Sequence, residues 1–193
     1  MRLILASASP RRAELLTAAG YAFEVMGTSV DETPAQGESP AAYTLRVALD
    51  KAHAVTKRPG AASIIVKDAV VLAADTEVVV DGRILGKPAD PEDAARMLRL
   101  LSGRVHEVLT ALVVVKDEEE RTDVVRTSVS FVRLDDEDIS WYVANGEPMG
   151  KAGAYAIQGL GARFVDRIEG SWANVVGLPI HRVAELVKSL SSR

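Results

Sequence analysis

Apolar positions along this 193-residue chain switch between strand-like runs and helix-like periodicity. Residues 3–6 form a short continuous apolar run, as a buried strand does. Ser9 then stands as an N-cap with Pro10 at the first helical position, and a helix runs to a stop at Gly20. Residues 23–26 read as a second strand, and residues 27–39 as a polar loop of functional length, rich in turn formers. A second helix starts at Ser39-Pro40 and continues to about Lys57, with Leu45, Ala48, Leu49, Ala52 and Val55 on one face.

Residues 63–85 are strand material, folded at Asp81-Gly82 by a hairpin turn. A third helix begins at Asp90-Pro91, supported by Asp93 in the manner of a capping box, and Gly103 stops it. Two β-rich runs follow, 105–116 and 122–134, joined by a charged turn over 117–121. A short helix near 138–144, a glycine-rich stretch, a strand over 162–165 and a closing helix after Pro179 complete the pattern. Early alternation of strand and helix, with hairpins in the middle, predicts an α/β fold with a mixed sheet flanked by helices. A single domain over residues 1–193, divided into two lobes around a cleft, accommodates this length.

Composition narrows the function. Aromatics are only 5%, so the core must be built from Val, Leu, Ile and Ala. With 23 basic and 27 acidic side chains the net charge is −4, which gives no general attraction to a polyanion, so nucleic acid is not an expected partner. The absence of cysteine rules out disulfides, thiolate nucleophiles and Cys-based zinc sites. The N-terminal apolar run is too short for a signal sequence and no window has the length of a membrane span, so a soluble cytoplasmic protein without a membrane partner is expected.

Candidate chemistry collects in a few segments. In Ser7-Ala8-Ser9-Pro10-Arg11-Arg12 two arginines occupy a first helical turn, where each positive charge costs about 0.3–1 kcal/mol against the helix dipole. A bound anion reverses that sign, because the serine hydroxyls, the free N–H groups and the guanidinium groups would converge on it; the alternative is a solvated helix start. Asp75 ends an apolar run, where α/β enzymes place reactive groups, and could hold a divalent cation or orient a water; otherwise it is a turn residue. Asp81 belongs to the hairpin turn and is assigned no chemistry.

Lys87 would lie at the base of that hairpin, suited to a phosphate or simply exposed. Asp31-Glu32 offers a second hard-metal ligand or a solvated acidic pair, and Lys51 sits at the edge of the apolar face of the second helix, where snorkelling is the plain alternative. Between Lys151 and Gly161 the glycines permit close backbone approach, and Gln158 carries a donor and an acceptor able to read a base edge. Gly159-Leu160-Gly161 fails the dinucleotide-loop pattern, and Gly150-Lys151 lacks the spacing of a P-loop. His53, His106 and His181 are too scattered to suggest a zinc or catalytic site, and no Gly-x-Ser-x-Gly elbow is present.

Taken together, these segments resemble the Maf family of nucleotide pyrophosphatases over nearly the whole chain. The matching pieces are Ser7 to Arg12, Asp31-Glu32, Asp50 to Ala52, Ala74 to Thr76, Gly86 to Pro88, Leu101 to Gly103 with His106, Lys151 to Gly159, Glu169 to Ser171 and Asn174 to Pro179. The resemblance implies an elongated α/β fold similar to the inosine triphosphate pyrophosphatases, with the active site in a cleft, a homodimer, and a requirement for Mg²⁺ or Mn²⁺. It implies that Asp75 is the general base, that Glu32 and Asp75 are metal ligands, and that Ser7, Ser9, Arg11, Arg12, Lys51, Lys87 and Lys151 serve the triphosphate. Arg11, Thr76 and Gln158 fall where the family tunes substrate choice, and Tyr155 to Gly159 has the form of the branch acting on dTTP and UTP. Two positions depart from the pattern: Gly150 stands where an aspartate is expected, and Trp172 where a tyrosine is. A nucleotide-binding regulator of septum formation, with little turnover, is the rival reading, although such a protein has no use for a water-activating carboxylate at position 75.

Overall fold

The computed structural model describes residues 2–57 and 69–191; the first part of the strand expected over 63–85 (residues 63–68) lies outside them. The described chain is mixed α/β. Its strands are β1 (Arg2–Leu5), β2 (Phe23–Val25), β3 (Ala69–Val80), β4 (Arg83–Ile84), β5 (Val105–Lys116), β6 (Glu119–Phe131) and β7 (Val165–Glu169). They form one sheet in the order β2-β1-β3-β5-β6-β7, with β4 paired on β3. The helices are α1 (Pro10–Ala18), α2 (Pro40–Thr56), α3 (Pro91–Leu101), α4 (Asp136–Ala144), α5 (Trp172–Val176) and α6 (Ile180–Ser191). The chain divides into two compact units: Met1–Asp75, Thr110–Val125 and Gly177–Arg193 make the first, and Thr76–Leu109 and Arg126–Val176 the second.

In the first unit, β1 runs parallel to both neighbours, with Leu3 opposite Phe23 on β2 and opposite Val70 on β3. Period-two alternation sends Leu3, Leu5, Val70, Leu72, Ala74, Leu112 and Val114 toward Leu16 of α1 and toward Val183, Leu186 and Val187 of α6. The opposite parity, Ile4, Ala6, Val71, Ala73, Ala111 and Val113, packs on Ala48, Ala52 and Val55 of α2. Both sheet faces are covered, which is why these strands read in the sequence as unbroken apolar runs. Each fully buried Leu or Val stabilises this arrangement by roughly 1.5–3 kcal/mol. The parity also fixes the site, since Asp75 lies two residues beyond Ala73 and therefore on the α2 face of the strand.

The second unit starts with the end of β3, which turns at Asp81-Gly82 into β4, with Val79 opposite Ile84 and Val80 opposite Arg83. Both turn residues have positive φ, 50° and 72°, as a tight two-residue hairpin turn requires. At the start of α3 the Asp90 carboxylate accepts the Asp93 N–H at 2.7 Å, and Asp93 in turn accepts the Ala89 N–H at 3.1 Å. A reciprocal capping box between Asp135 and Asp138 starts α4 at Asp136, two residues before the expected 138.

Two expectations are corrected. The charged turn between β5 and β6 is only Asp117-Glu118, with Asp117 at φ 53°, and the strand resumes at Glu119. Of the expected run 162–165 only Val165 is strand. A 3₁₀ helix, Leu160–Phe164, places Phe164 in an aromatic core beside Phe131 and Tyr142, and the strand is Val165–Glu169, paired antiparallel with β6.

Candidate active site

Asp75 is 6% exposed, although it is an acid in a strand. Its Oδ1 accepts a hydrogen bond from Lys51 Nζ at 2.7 Å, while Oδ2 is buried without a hydrogen-bond partner. Lys51 reaches it because the apolar face of α2 that packs on β3 carries Ala48, Ala52 and Val55, and Lys51 lies among them. The same ammonium is 2.7 Å from Glu32 Oε1. Two carboxylates thus face one cation, and the acid is desolvated by the sheet and helix around it.

Glu32 holds its place through its own loop. Tyr43 on α2 donates its hydroxyl to the Glu32 carbonyl at 2.8 Å, and the Asp31 carboxylate accepts the Thr33 N–H at 2.9 Å in a local turn. Arg46, one helical turn before Asp50, donates to the Thr33 carbonyl and to both oxygens of Glu38, which in turn accepts the Ala35 N–H. The polar stretch 27–39 is therefore tied to α2 through Glu32, Thr33 and Glu38.

Ser7 and Arg12 form a second group. Ser7 Oγ accepts the Arg12 Nη1–H at 3.0 Å and the Ser9 N–H at 3.2 Å, and Arg12 Nε donates to the Gly177 carbonyl at 2.9 Å. Both side chains are buried. Arg12 thus braces the strand–helix turn as well as charging it. Ser9 is the N-cap of α1, but its hydroxyl makes no capping bond and no acid occupies the first turn. Arg11 is half-buried at the same helix start.

The other expected site residues belong to the second unit. Thr76 follows Asp75 directly on β3 and is half-buried. Lys87 is exposed just past the hairpin, whose pairing continues to the Leu85 N–H on the Val78 carbonyl at 2.9 Å. The Gly86 carbonyl accepts the Gly153 N–H at 2.8 Å, joining the Lys87 segment to the one that carries Lys151. Lys151 Nζ donates to the Met149 carbonyl at 3.2 Å, and Gln158 is exposed on the following loop.

Comparison with known proteins decides the family. The Maf-like protein profile matches residues 2–190. The chain belongs to the Maf family. Among relatives of this Maf chain, the dTTP/UTP pyrophosphatase of Anaeromyxobacter dehalogenans (strain 2CP-1 / ATCC BAA-258) is 52% identical over 97% of this chain and 93% of its own. That of Syntrophus aciditrophicus (strain SB) is 47% identical over 99% and 91%. A solved structure, the Staphylococcus aureus Ham1 protein, matches 70% of this chain and 73% of its own at 16% identity and TM-score 0.41.

Several Maf motif positions are buried and hydrogen-bonded within the second unit. His106 is buried; its Nε2 is 2.9 Å from the Tyr155 hydroxyl, its ring meets Phe131 edge-on, and burial pushes its pKa down to about 4. Burial likewise pushes the Tyr155 phenol well above its usual range. Asn174, fully buried, donates to the Val108 carbonyl and to Thr127 Oγ1, each at 3.0 Å, and Thr127 Oγ1 also accepts the Ser171 N–H.

Two acidic groups were given no role from the sequence. Glu77 is 8% exposed on β3. Glu147, half-buried just after α4, accepts hydrogen bonds from the Tyr142 hydroxyl and from the Leu160 and Gly161 N–H groups. The glycines at 159 and 161 were the available signal for it.

Among the described residues no cluster of three or more acidic or histidine side chains forms a ready metal cage. Glu32 and Asp75 nevertheless fit a hard divalent cation. They are two carboxylates close enough to share one ammonium, one oxygen is buried without a partner, and Mg²⁺ takes one or two protein carboxylates beside substrate phosphates and water.

Proposed function

We propose that this chain hydrolyses nucleoside triphosphates, dTTP and UTP foremost, to the monophosphate and pyrophosphate. The observation that supports it best is Asp75, a buried carboxylate held at Oδ1 by Lys51 and without a partner at Oδ2. Relatives at 52% and 47% identity carry the name dTTP/UTP pyrophosphatase.

In this reading Asp75 Oδ2 orients the attacking water and receives its proton, while Lys51 fixes the carboxylate through Oδ1. Ser9, Arg11, Lys87 and Lys151 contact phosphate oxygens. Arg12 and Ser7 brace the first turn of α1 for that purpose, through their mutual bond and the Arg12 contact with the Gly177 carbonyl. Glu32 and Asp75 hold Mg²⁺ or Mn²⁺, which when bound supplies positive charge to the phosphates. Thr76 and Gln158 bear on the choice of nucleotide. Among the described residues no helix is long and apolar enough to cross a membrane. Family resemblance supports a cytoplasmic homodimer, which sedimentation of the purified protein tests.

The deciding experiment incubates the purified protein with Mg²⁺ or Mn²⁺ and each common nucleoside triphosphate, then separates the products by chromatography. Monophosphate and pyrophosphate, formed fastest from UTP or dTTP, are expected. Diphosphate and phosphate, or no turnover of any nucleotide, overturns the proposal.

A further inference from the structure

Glu147 and Tyr142 meet in the second unit, and between them they take up the backbone of one loop. Glu147 Oε1 accepts the Tyr142 hydroxyl at 2.8 Å and the Gly161 N–H at 3.0 Å, and Oε2 accepts the Leu160 N–H at 2.9 Å. The Tyr142 oxygen accepts the Ala156 N–H at 3.1 Å. Three backbone donors, at 156, 160 and 161, are therefore fixed on both sides of Gln158, which stays exposed and takes no part in the bracing. Tyr142 is itself immobilised, fully buried with its ring edge-on to Phe164 at 5.0 Å. Burial raises the Glu147 pKa, but the Leu160 and Gly161 N–H groups, the Tyr142 hydroxyl and the Lys151 charge outweigh it, and the carboxyl sits below its usual range.

The glycines carry the same message. Gly159 has φ −117°, a torsion that does not demand glycine, yet a Cβ there would collide with the Glu147 carboxylate. A Cβ on Gly161 would lie 2.8 Å from the Tyr142 hydroxyl oxygen. Both positions are small because the acceptors come so close to the backbone.

We propose that Glu147 and Tyr142 are positioning residues that set base selectivity by fixing the loop that presents Gln158. The inference rests on the reading of Gln158 as the group that meets the base. An amide distinguishes hydrogen-bonding edges only when it is held close to the productive geometry, and a loop anchored at three backbone points beside it provides that.

The test uses Glu147→Gln, Tyr142→Phe and Gly159→Ala, with the wild-type protein as reference. Three quantities are read: kcat/KM for UTP against CTP and ATP, the inhibition constant of inorganic tripolyphosphate, and amide hydrogen exchange at Leu160 and Gly161. The preference for UTP should fall about tenfold in each variant, while tripolyphosphate inhibits as it does the wild type, and exchange at both amides accelerates. Tyr142→Phe keeps the ring and its packing, so it reports even if the Glu147 variant folds poorly. Unchanged preference in the folded variants, unchanged exchange, or an equal loss for every nucleotide and for tripolyphosphate overturns this inference alone. A wild-type protein that hydrolyses no triphosphate overturns the proposed function and this inference together.

Discussion

Lys51 Nζ lies 2.7 Å from Asp75 Oδ1, and both side chains are buried. A buried pair is strongly destabilised when one member is removed, by about 3–5 kcal/mol, because the other is left without compensation. Lys51→Met should therefore lower stability by that order in denaturant melts without metal. Mn²⁺ should raise its Tm more than it raises that of the wild type, since the carboxylates of Glu32 and Asp75 would then lack their internal cation. Asp75→Asn keeps the shape and should bind nucleotide in calorimetry, with kcat reduced by roughly 10²–10⁴. Full turnover in that variant would remove Asp75 as the base.

The adjacent arginines should separate in stability measurements. Arg12 holds Ser7 and the Gly177 carbonyl, so Arg12→Ala leaves buried acceptors unmet and should cost about 1–3 kcal/mol in addition to weakening substrate binding. Arg11→Ala removes a positive charge from the first turn of α1, where the dipole disfavours it, and should leave Tm unchanged or slightly higher while KM rises. Equal stability losses in the two variants would mean that Arg12 is not the brace.

His106 gives the protein a defined acid response. Its folded pKa is about 4, below the ordinary 6.5, so between those values the unfolded chain binds a proton that the folded chain does not. Stability from this group is complete above pH 6.5 and is lost as pH falls toward 4, by up to about 3 kcal/mol. Urea melts from pH 7.5 to 4.5 should show a steeper decline in the wild type than in His106→Gln. Parallel curves would show that His106 is not held neutral.

Gly150 and Gly153 look alike in the sequence and differ in space. Both have positive φ, 72° and 67°, but a Cβ on Gly150 meets nothing within 4 Å, whereas one on Gly153 lies 2.7 Å from the Val78 side chain. Gly150→Asp, which restores the residue the Maf pattern leads one to expect, should fold with a loss of about 1–2 kcal/mol from the torsion alone. Gly153→Ala should lose several times as much, since it adds a clash with β3 to the same strain. Thermal melts of the two variants decide between these outcomes.

The elements were legible where local chemistry is strong. Pro10, Pro40 and Pro91 each open a helix, and the Asp81-Gly82 hairpin stands where it was expected. The strand expected over 162–165 starts only at Val165, because Phe164 is drawn into an aromatic core built from residues 131, 142 and 155, a long-range demand that no local window contains. The grouping of Glu32, Lys51 and Asp75 followed from resemblance and not from spacing; Lys51 on an apolar helix face reads equally well as a snorkelling lysine until its carboxylate partners are seen. Glu147 was hidden for a similar reason, since two of its partners are backbone N–H groups, which every residue but proline carries.

The bonds that brace the loop from Ala156 to Gly161 end on main-chain nitrogens and use no side chain of the loop itself. The residue at 158 is consequently uncoupled from the scaffold that displays it. Exchange of Gln158 for another polar side chain should therefore leave the fold intact, and on the role proposed for Gln158 a single substitution there would change nucleotide preference, provided that Tyr142, Glu147, Gly159 and Gly161 remain.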